Sequence, residues 1–370
     1  MIKNTKGITL VALVVTIVVL LILASVTIGM TLVNNGIFDK AKNATATYKQ
    51  AALNESSLLN GVDEQIEYKV KGINSEVGKY KDTQAVLSAT QNTAIKDDGG
   101  NTITVPIGFK IASDSATKQE DGIVIEDKDG NQFVWIPVAN ISNYTRTDFG
   151  ASFDNGAYSG YSEAMPSDEQ TSVSTYHGYY IGRYEAGDKE STDNKTMRSS
   201  SIVTNTVTIK KSQAPYNFVT KAQAQTLATA MKTVEGYSGK TKLCSSYAWD
   251  TALKFIQNKV SGYATNSSQG NYSDTTFTYT DLAGTSQTKT TSTSVLLPTG
   301  QSLPACNIYD MGGNEWEVTS ETFPSDPTYT VSARGGKFNI SCAGYPAGYR
   351  YHQLTTYSSN SAGFRVALYM

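Results

Sequence analysis

The chain has 370 residues, and its 31 Lys and Arg nearly balance its 33 Asp and Glu, for a formal net charge of -2. This balance disfavours a nucleic-acid binder or a highly charged disordered chain, so we expect no nucleic-acid partner. Three Cys and two His without close paired spacing disfavour both a zinc site and a disulfide framework. The 23 Tyr, with abundant Ser, Thr, Asn and Gly, favour an exposed, hydrogen-bonding surface.

An uncharged apolar segment occupies residues 8–30. At about 1.5 Å per residue, a helix of this length crosses about 30 Å of hydrocarbon. Lys3 and Lys6 precede it without an acidic residue, which predicts a cytoplasmic leader and an outward-facing chain. The alternatives are a cleaved secretory signal and a plain signal anchor, and the apolar run is longer than a cleaved signal carries. We therefore expect a membrane-anchored protein with an extracellular C-terminal domain, on the cell surface or on a pilus.

The junction Lys6-Gly7-Ile8 resembles the type IV prepilin leader, in which a short basic segment and a Gly precede an apolar helix. The resemblance implies cleavage between Gly7 and Ile8 by a prepilin peptidase. Pilins usually carry Glu at the fifth mature position, where this chain has Ala12. Three interpretations therefore stay open: a minor pilin, a pseudopilin-like tip subunit and a membrane-held protein with a borrowed leader. The first two would have other pilin subunits as partners.

Composition divides the remaining chain into a stalk, a linker and a globular part. Residues 37–68 carry an approximate helical stripe of apolar side chains, so we assign 1–7 to the leader and 8–70 to the membrane helix and stalk. Residues 71–101 are polar and end in the turn-forming sequence KDDGGN, which predicts a linker. The globular domain is then expected at 102–370.

Mixed helix and strand signals follow in the globular part. Residues 122–138 predict two strands joined at Asp129-Gly130, and residues 219–234 and 246–259 have helical periodicity. Residues 261–294 are rich in Ser, Thr, Gly and Tyr, which predicts an exposed loop or hairpin insertion. The expected fold class is α+β.

Five blocks then occur in a fixed order: GNQFVWIPV at 130–138, YIGRYE at 180–185, NIYDMGGNEWEV at 307–318, ARGG at 333–336 and GFRVAL at 363–368. Together they resemble the formylglycine-generating enzyme (sulfatase-modifying factor) family from about residue 105 to the last residue. The resemblance implies a C-type-lectin-like domain with little regular secondary structure, buried Trp and Arg side chains and, often, calcium.

The cysteines do not match the family's oxidases. The resemblance implies two copper-binding cysteines, five residues apart, between the ARGG and GFRVAL blocks. Cys342 lies near the first position, but Ala347, Gly348 and Tyr349 surround the second. One thiolate cannot form a two-thiolate Cu(I) site, so we expect no copper and no enzyme activity. A copper-dependent protein-cysteine oxidase is therefore a disfavoured alternative. The related iron-dependent sulfoxide synthases need a histidine set that two histidines cannot supply.

Asn314 and Glu317 in the GGNEWEV sequence are candidates for a calcium site, since their side-chain oxygens are hard ligands. The resembled family has a calcium site in this block. The alternative is that both side chains serve the fold, capping a turn and pairing with Arg334 or Arg365. Trp135 and Trp316 are expected in the core.

A polar, Tyr-rich segment lies between the last two blocks. The candidate ligand-binding residues are Asn339, Ser341, Tyr345, Tyr349, Tyr351, His352, Gln353, Tyr357 and Asn360. Tyr offers a large contact area at low entropic cost, while Ser and Asn adapt their hydrogen bonds. A lectin-like domain with such a segment closing on GFR resembles the variable proteins of diversity-generating retroelements. This predicts a surface receptor or adhesin whose ligand is a protein or glycan on another cell or phage. A fixed binding domain and a structural minor pilin are the alternatives.

Overall fold

The computed structural model describes residues 13–20, 77, 89–149, 160–191, 197–199, 202–204, 206–291 and 293–370. The chain divides into two units, Met1–Glu67 and Tyr68–Met370. In the first unit, residues 13–20 are helical with exposed side chains. Within the described ranges, no helix has both the length and the apolar character needed to cross a bilayer. The predicted cleavage site at Gly7 and Ile8, and most of the predicted span at 8–30, lie outside the described residues.

Short strands and a few helices build the second unit. Its described α-helices are α1 (Ser167–Tyr176), α2 (Lys221–Glu235) and α3 (Ser246–Gln257), and 3-10 turns lie at Gln119–Asp121 and Ile141–Asn143. Its described strands are β1 (Thr93–Lys96), β2 (Thr102–Val105), β3 (Phe109–Ile111), β4 (Val124–Asp127), β5 (Gln132–Pro137), β6 (Gly178–Gly182), β7 (Gly187–Asp188), β8 (Val207–Thr208), β9 (Ala214–Pro215), β10 (Lys240–Leu243), β11 (Phe277–Thr280), β12 (Ser286–Lys289), β13 (Trp316–Thr322), β14 (Val331–Arg334), β15 (Arg350–Gln353), β16 (Ala362–Phe364) and β17 (Val366–Tyr369).

A six-stranded antiparallel sheet, in the order β10-β17-β6-β5-β4-β3, forms the centre of this unit. Alternate side chains of β5 enter different core clusters: Phe133 and Trp135 enter one, and Val134 and Ile136 enter the other. Successive side chains of a strand point to opposite faces, so both faces of this sheet are buried. This explains why β5 is an unbroken apolar run rather than an alternating one.

Each face of the sheet is covered by a helix. Ala224, Ala228 and Met231 of α2 pack in the cluster on the Trp135 face, whereas α3 contributes Trp249 and Leu253 to the other. The helices begin where their caps predict. Thr220 and Gln223 form a capping box at α2, and the Ser245 side chain accepts a hydrogen bond from the backbone N–H of Ala248 at α3. The core is therefore a sheet between two helices.

A second sheet, in the order β15-β14-β13-β16, carries Ala333 and Arg334 of the ARGG block and the first two residues of the GFRVAL block, whose Val366–Leu368 belong to β17 of the central sheet. Its β13 pairs antiparallel with β14 and parallel with β16. The turn after β14 needs glycine, because Gly336 has φ +77° and a Cβ there would lie 2.3 Å from the carbonyl oxygen of Tyr345. Smaller sheets are formed by β8-β7-β9, β1-β2 and β11-β12.

Several predictions from the sequence agree with these elements. The hairpin at Asp129-Gly130, the helices at 219–234 and 246–259, and a hairpin within 261–294 are all present. The predicted end of the linker is wrong, since residues 93–105 form the β1–β2 hairpin. Its turn is held by Asp97, whose carboxylate accepts hydrogen bonds from the backbone N–H groups of Asn101 and Gln119. The KDDGGN sequence thus makes a turn inside the folded unit.

Candidate functional site

Aromatic side chains gather on the second sheet and the loops beside it. We call the following residues the aromatic cluster: Trp316, Phe323, Tyr329, Tyr345, Tyr349, Tyr351 and His352. Trp316 begins β13 and Tyr351 lies on β15, on either side of β14. Ala333 of β14 is paired with Tyr351 and is buried in the same small core. The small side chain at position 333 leaves room for the two rings to meet across the middle strand.

Four rings of the cluster form a stacked row. Trp316 and Tyr351 have centroids 5.2 Å apart with an interplanar angle of 19°, and Tyr351 and His352 are 5.9 Å apart at 20°. His352 in turn stacks on Phe323 at 4.6 Å and 19°. Burial lowers the pKa of His352, an effect that Asp326 partly opposes, so the stacked imidazole is neutral at pH 7. The row therefore presents an uncharged aromatic surface.

The cluster has a buried floor and an accessible rim. Trp316 and Tyr349 are 2% and 5% exposed, whereas Tyr345, Tyr351 and His352 are half-buried. Tyr329 is 38% exposed beside them. Large rings that are fixed on one side and accessible on the other can gain contact area without losing much conformational entropy.

The structure brings together part of the predicted ligand-binding set. Tyr345, Tyr351 and His352 meet in the cluster, but Tyr349 belongs to the core because its ring packs under them against Trp316. The assignment of Tyr349 as a ligand-contacting residue is thus corrected. The other predicted residues lie outside the cluster: Asn339 and Asn360 are exposed, and Ser341, Gln353 and Tyr357 are half-buried. Tyr357 instead accepts a hydrogen bond from the hydroxyl of Ser359.

Phe323 and Tyr329 are members of the cluster that the sequence did not reveal. They lie in the connection between β13 and β14, 16 and 10 residues before Asn339, the first candidate residue of the Tyr-rich segment. Pairing of β14 with β15 brings this connection beside His352. A usable signal was the sequence TFPSDPTY, in which two aromatic residues bracket a proline-rich turn on the surface.

Buried arginines hold the backbone beneath the cluster. Arg334 donates to the main-chain carbonyls of Gly348 and Tyr349 and pairs with Asp250 of α3 at 2.7 Å. Arg350 pairs with both Asp250 and Glu321. Each of these charged side chains is at most 1% exposed. The network ties α3 to β13, β14 and β15, and so fixes the strand from which Tyr351 and His352 project.

The charges of this network support one another. Burial alone would lower the pKa of Arg350, but the carboxylates of Asp250 and Glu321 outweigh it and raise that pKa. Burial would likewise raise the pKa of Glu321, whereas Arg350, Arg334 and Arg146 lower it. Arg350 and Glu321 are therefore ionised at neutral pH and depend on their partners for compensation, whereas burial and the neighbouring charge of Arg350 lower the pKa of Arg334.

A scan against protein families matches residues 136–370 to the sulfatase-modifying factor enzyme 1-like domain, also named the FGE-sulfatase domain. The match covers well over half of the chain. The chain belongs to this family. A comparison with curated proteins finds no match.

Solved structures that are similar to this chain include three at low sequence identity. The structure of CarF has 13% identity and a TM-score of 0.36, with 52% of this chain and 87% of that chain covered. PvdO from Pseudomonas aeruginosa has 14% identity and a TM-score of 0.39, with 67% and 98% covered. Treponema denticola variable protein 1 has 12% identity and a TM-score of 0.37, with 65% and 96% covered. TM-scores of this size do not establish a function, so the function is inferred from the residues of this chain.

The cysteine arrangement of this FGE-sulfatase domain does not offer a thiol pair. Cys342 is buried, and burial raises its pKa. Five residues later, Ala347 is also buried, with its backbone N–H bonded to Ser267 and its carbonyl bonded to the indole of Trp249. Cys244 and Cys306 are free thiols elsewhere in the described part of the domain. The segment that would carry a copper pair thus serves the packing of α3.

The two predicted calcium ligands are already bound to protein groups. Both oxygens of Glu317 accept hydrogen bonds from Arg365, at 2.6 and 2.9 Å. The side-chain oxygen of Asn314 accepts from the side-chain amide of Asn271 and the backbone N–H of Leu297. These side chains therefore do not fit a calcium ion as they are placed. Their contacts match the alternative interpretation, in which Glu317 pairs with Arg365.

Proposed function

We propose that this chain is a ligand-binding protein of adhesin or receptor type, displayed at the cell surface by its N-terminal pilin-like helix. The aromatic cluster is the binding surface, and its ligand is a protein or glycan on another cell or phage. The observation that carries the proposal is the accessible rim of Tyr329, Tyr345, Tyr351 and His352 over a buried Trp316 floor.

Rigidity and chemistry both support this role. Binding energy at protein interfaces concentrates in aromatic residues that pack in well-ordered surroundings. The arginine network beneath the cluster orders the strand before a ligand arrives, which reduces the entropy lost on binding. Leu354, which directly follows β15, is 41% exposed and adds an apolar side chain to this part of the surface. The half-buried or exposed polar residues nearby, such as Gln353 and Asn339, are suited to the polar rim of an interface.

The N-terminal part of the proposal rests on the sequence. The apolar span at 8–30 and the Gly7–Ile8 junction imply processing by a prepilin peptidase, insertion in the membrane and, if the chain enters a filament, contact with other pilin subunits. Diversification of the Tyr-rich segment by a retroelement is part of the same proposal. A near-copy of the corresponding DNA that differs at adenines, beside a reverse transcriptase, would support it.

Binding of the labelled full chain to intact bacterial cells and to a glycan array tests the function. We expect Tyr351→Ala combined with Tyr345→Ala to lower binding at least tenfold, because both substitutions remove rim contacts. Tyr279→Ala, which changes a half-buried Tyr on the β11–β12 hairpin, is the matched control and should bind normally. If the double variant binds as the wild type does, with its melting temperature unchanged, the binding surface lies elsewhere and a structural pilin role gains support.

A further inference from the structure

The second sheet ends in an unpaired edge at β15. This strand is outermost in the order β15-β14-β13-β16, and it pairs in antiparallel register with Val331–Arg334 of β14. Apart from that pairing, the main-chain groups of Tyr351, His352 and Gln353 have no hydrogen-bond partner in the part of the chain that the structure describes. In an antiparallel pair, alternate residues direct their N–H and C=O groups away from the partner strand. The outer side of β15 therefore offers hydrogen-bond donors and acceptors.

The other outer edges of the two larger sheets are protected. Edge strands of soluble proteins are guarded against further pairing by charged side chains, above all Lys, or by coverage. In the central sheet, β10 carries Lys240 and Lys242, and β3 carries Lys110. At the opposite end of the second sheet β16 is fully buried, and the carbonyl oxygen of Phe364 accepts a hydrogen bond from the backbone N–H of Ala186. Each of these edges thus has a feature that opposes the addition of a strand.

The edge at β15 lacks both kinds of protection. Its one charged side chain, Arg350, is 1% exposed and is held inside the domain by Asp250 and Glu321. The three residues that follow Arg350 in the strand are half-buried and carry no charge at pH 7. The strand therefore has neither the charge that guards β10 and β3 nor the burial that guards β16.

This edge lies within the aromatic cluster. Tyr351 stacks on Trp316 and His352 stacks on Phe323, while the ring of Tyr345 lies 6.5 Å from that of Tyr351 at an interplanar angle of 79°. Side chains of a strand alternate between the two faces of a sheet. Every second side chain of a strand added beside β15 would therefore lie on the same face as Tyr351, where an apolar side chain can bury area against the rings.

We propose that the ligand of this surface is a protein with an extended segment, which pairs with β15 as a fifth strand of the second sheet. This inference rests on the proposed function, because it names the ligand of the same surface. In strand addition, main-chain hydrogen bonds supply affinity and contacts of alternate side chains supply specificity. The matching segment is uncharged, has aliphatic or aromatic residues at alternate positions and lacks Pro where it pairs.

The edge favours a peptide over two other occupants. A glycan has no regularly spaced amide groups to match the N–H and C=O groups of a strand. A second copy of the chain, paired through β15, would join only four residues from each chain. Stable interfaces between folded proteins use roughly 20 residues or more a side, so this pairing is too small to hold a dimer.

Short linear peptides test the inference from the side of the ligand. The detergent-solubilised full chain selects binders from a phage-displayed library of random linear peptides, and each selected peptide is then synthesised with one backbone N-methyl group at successive positions. N-methylation removes a main-chain donor and keeps the side chain. Fluorescence anisotropy should show binding weakened about tenfold at every second position and little changed between them, because only alternate N–H groups of an added strand face β15.

Proline substitutions test the edge from the side of the protein. The N–H groups of His352 and Gln353 face opposite ways, so His352→Pro and Gln353→Pro differ in effect. One removes a donor to β14 and lowers the melting temperature, whereas the other removes an outward donor and leaves the fold intact. The stable Pro variant should bind the selected peptides about tenfold more weakly than the variant with Ala at the same position, which controls for the lost side chain.

The outcomes separate this inference from the proposed function. The inference is overturned if the library yields no binder, if N-methylation shows no alternation, or if the stable Pro variant binds as its Ala control does. A glycan-array signal that Tyr345→Ala and Tyr351→Ala abolish, without peptide binding, would overturn the peptide ligand and leave the binding surface in place. Self-association of the chain that the stable Pro variant abolishes would make a second copy the occupant, and would also overturn it.

Discussion

Replacing Asp250 by Asn should destabilise the domain strongly. Asp250 is fully buried and accepts from Arg334, from Arg350 and from the backbone N–H of Thr147. Asn keeps the shape but removes the charge, and its NH₂ group faces guanidinium donors that it cannot bind. Loss of one partner from a buried ion pair typically costs about 3–5 kcal/mol, a large part of a total stability of about 5–15 kcal/mol. Because Glu321 still pairs with Arg350, we expect Asp250→Asn to lower the free energy of unfolding by about 3 kcal/mol, the lower end of this range.

Urea unfolding followed by tryptophan fluorescence measures this loss as a change in the free energy of unfolding. Asp98→Asn makes the same chemical change at an exposed position and should alter stability by less than about 0.5 kcal/mol. A loss below about 1 kcal/mol for Asp250→Asn would contradict the reasoning. It would mean that the carbonyl contacts of Arg334, together with Glu321, are enough to hold the two guanidinium groups.

Three further predictions concern separate parts of the domain. Burial lowers the pKa of Lys221 from 10.5 to about 8, so with rising pH the folded chain releases this proton before the unfolded chain does. The free energy of unfolding should therefore rise between pH 8 and 10.5, by at most about 3 kcal/mol. In urea titrations Lys221→Met should lose that rise, whereas the exposed control Lys118→Met should keep it. Gly336→Ala should destabilise the domain by about 2 kcal/mol or more, seen as a lower melting temperature, because the new Cβ would displace the backbone of Tyr345. It should also weaken ligand binding. A variant as stable as the wild type would show that the turn relaxes to accept the Cβ. Competition with a chromophoric chelator should detect no tight Cu(I) binding by the wild type, and a copper affinity that disappears in Cys342→Ser would contradict this.

Local signals made parts of the fold predictable. The two helices over the central sheet have regular apolar spacing and begin at Thr220 and Ser245, both good capping residues. The Asp129-Gly130 turn is likewise predictable from its own residues, because glycine readily adopts the positive φ of +85° that Gly130 has in the structure. The same local rule misled at KDDGGN, because a turn sequence has the same composition in a linker as in a hairpin. What distinguishes the two is the pairing of Thr93–Lys96 with the following strand.

The candidate site depends on contacts between distant segments, which composition does not encode. The Tyr-rich segment predicted a binding region, yet its pattern does not show that Tyr349 faces inward while Tyr351 faces the surface. Phe323 joins the surface through strand pairing. Glu317 and Arg365 are 48 positions apart in sequence, and only the fold pairs them in the interior.

The position of β17 in the central sheet bears on how the chain is made. This strand lies between β10 and β6, although it is the last of the six to be synthesised. While the chain leaves the ribosome, β6 and β10 each present an unpaired edge until residues 366–369 arrive. Sheets closed by such distant pairings fold slowly and expose aggregation-prone edges meanwhile. The central sheet therefore closes only after nearly all of the domain has been synthesised, which makes the domain a natural client for holding chaperones.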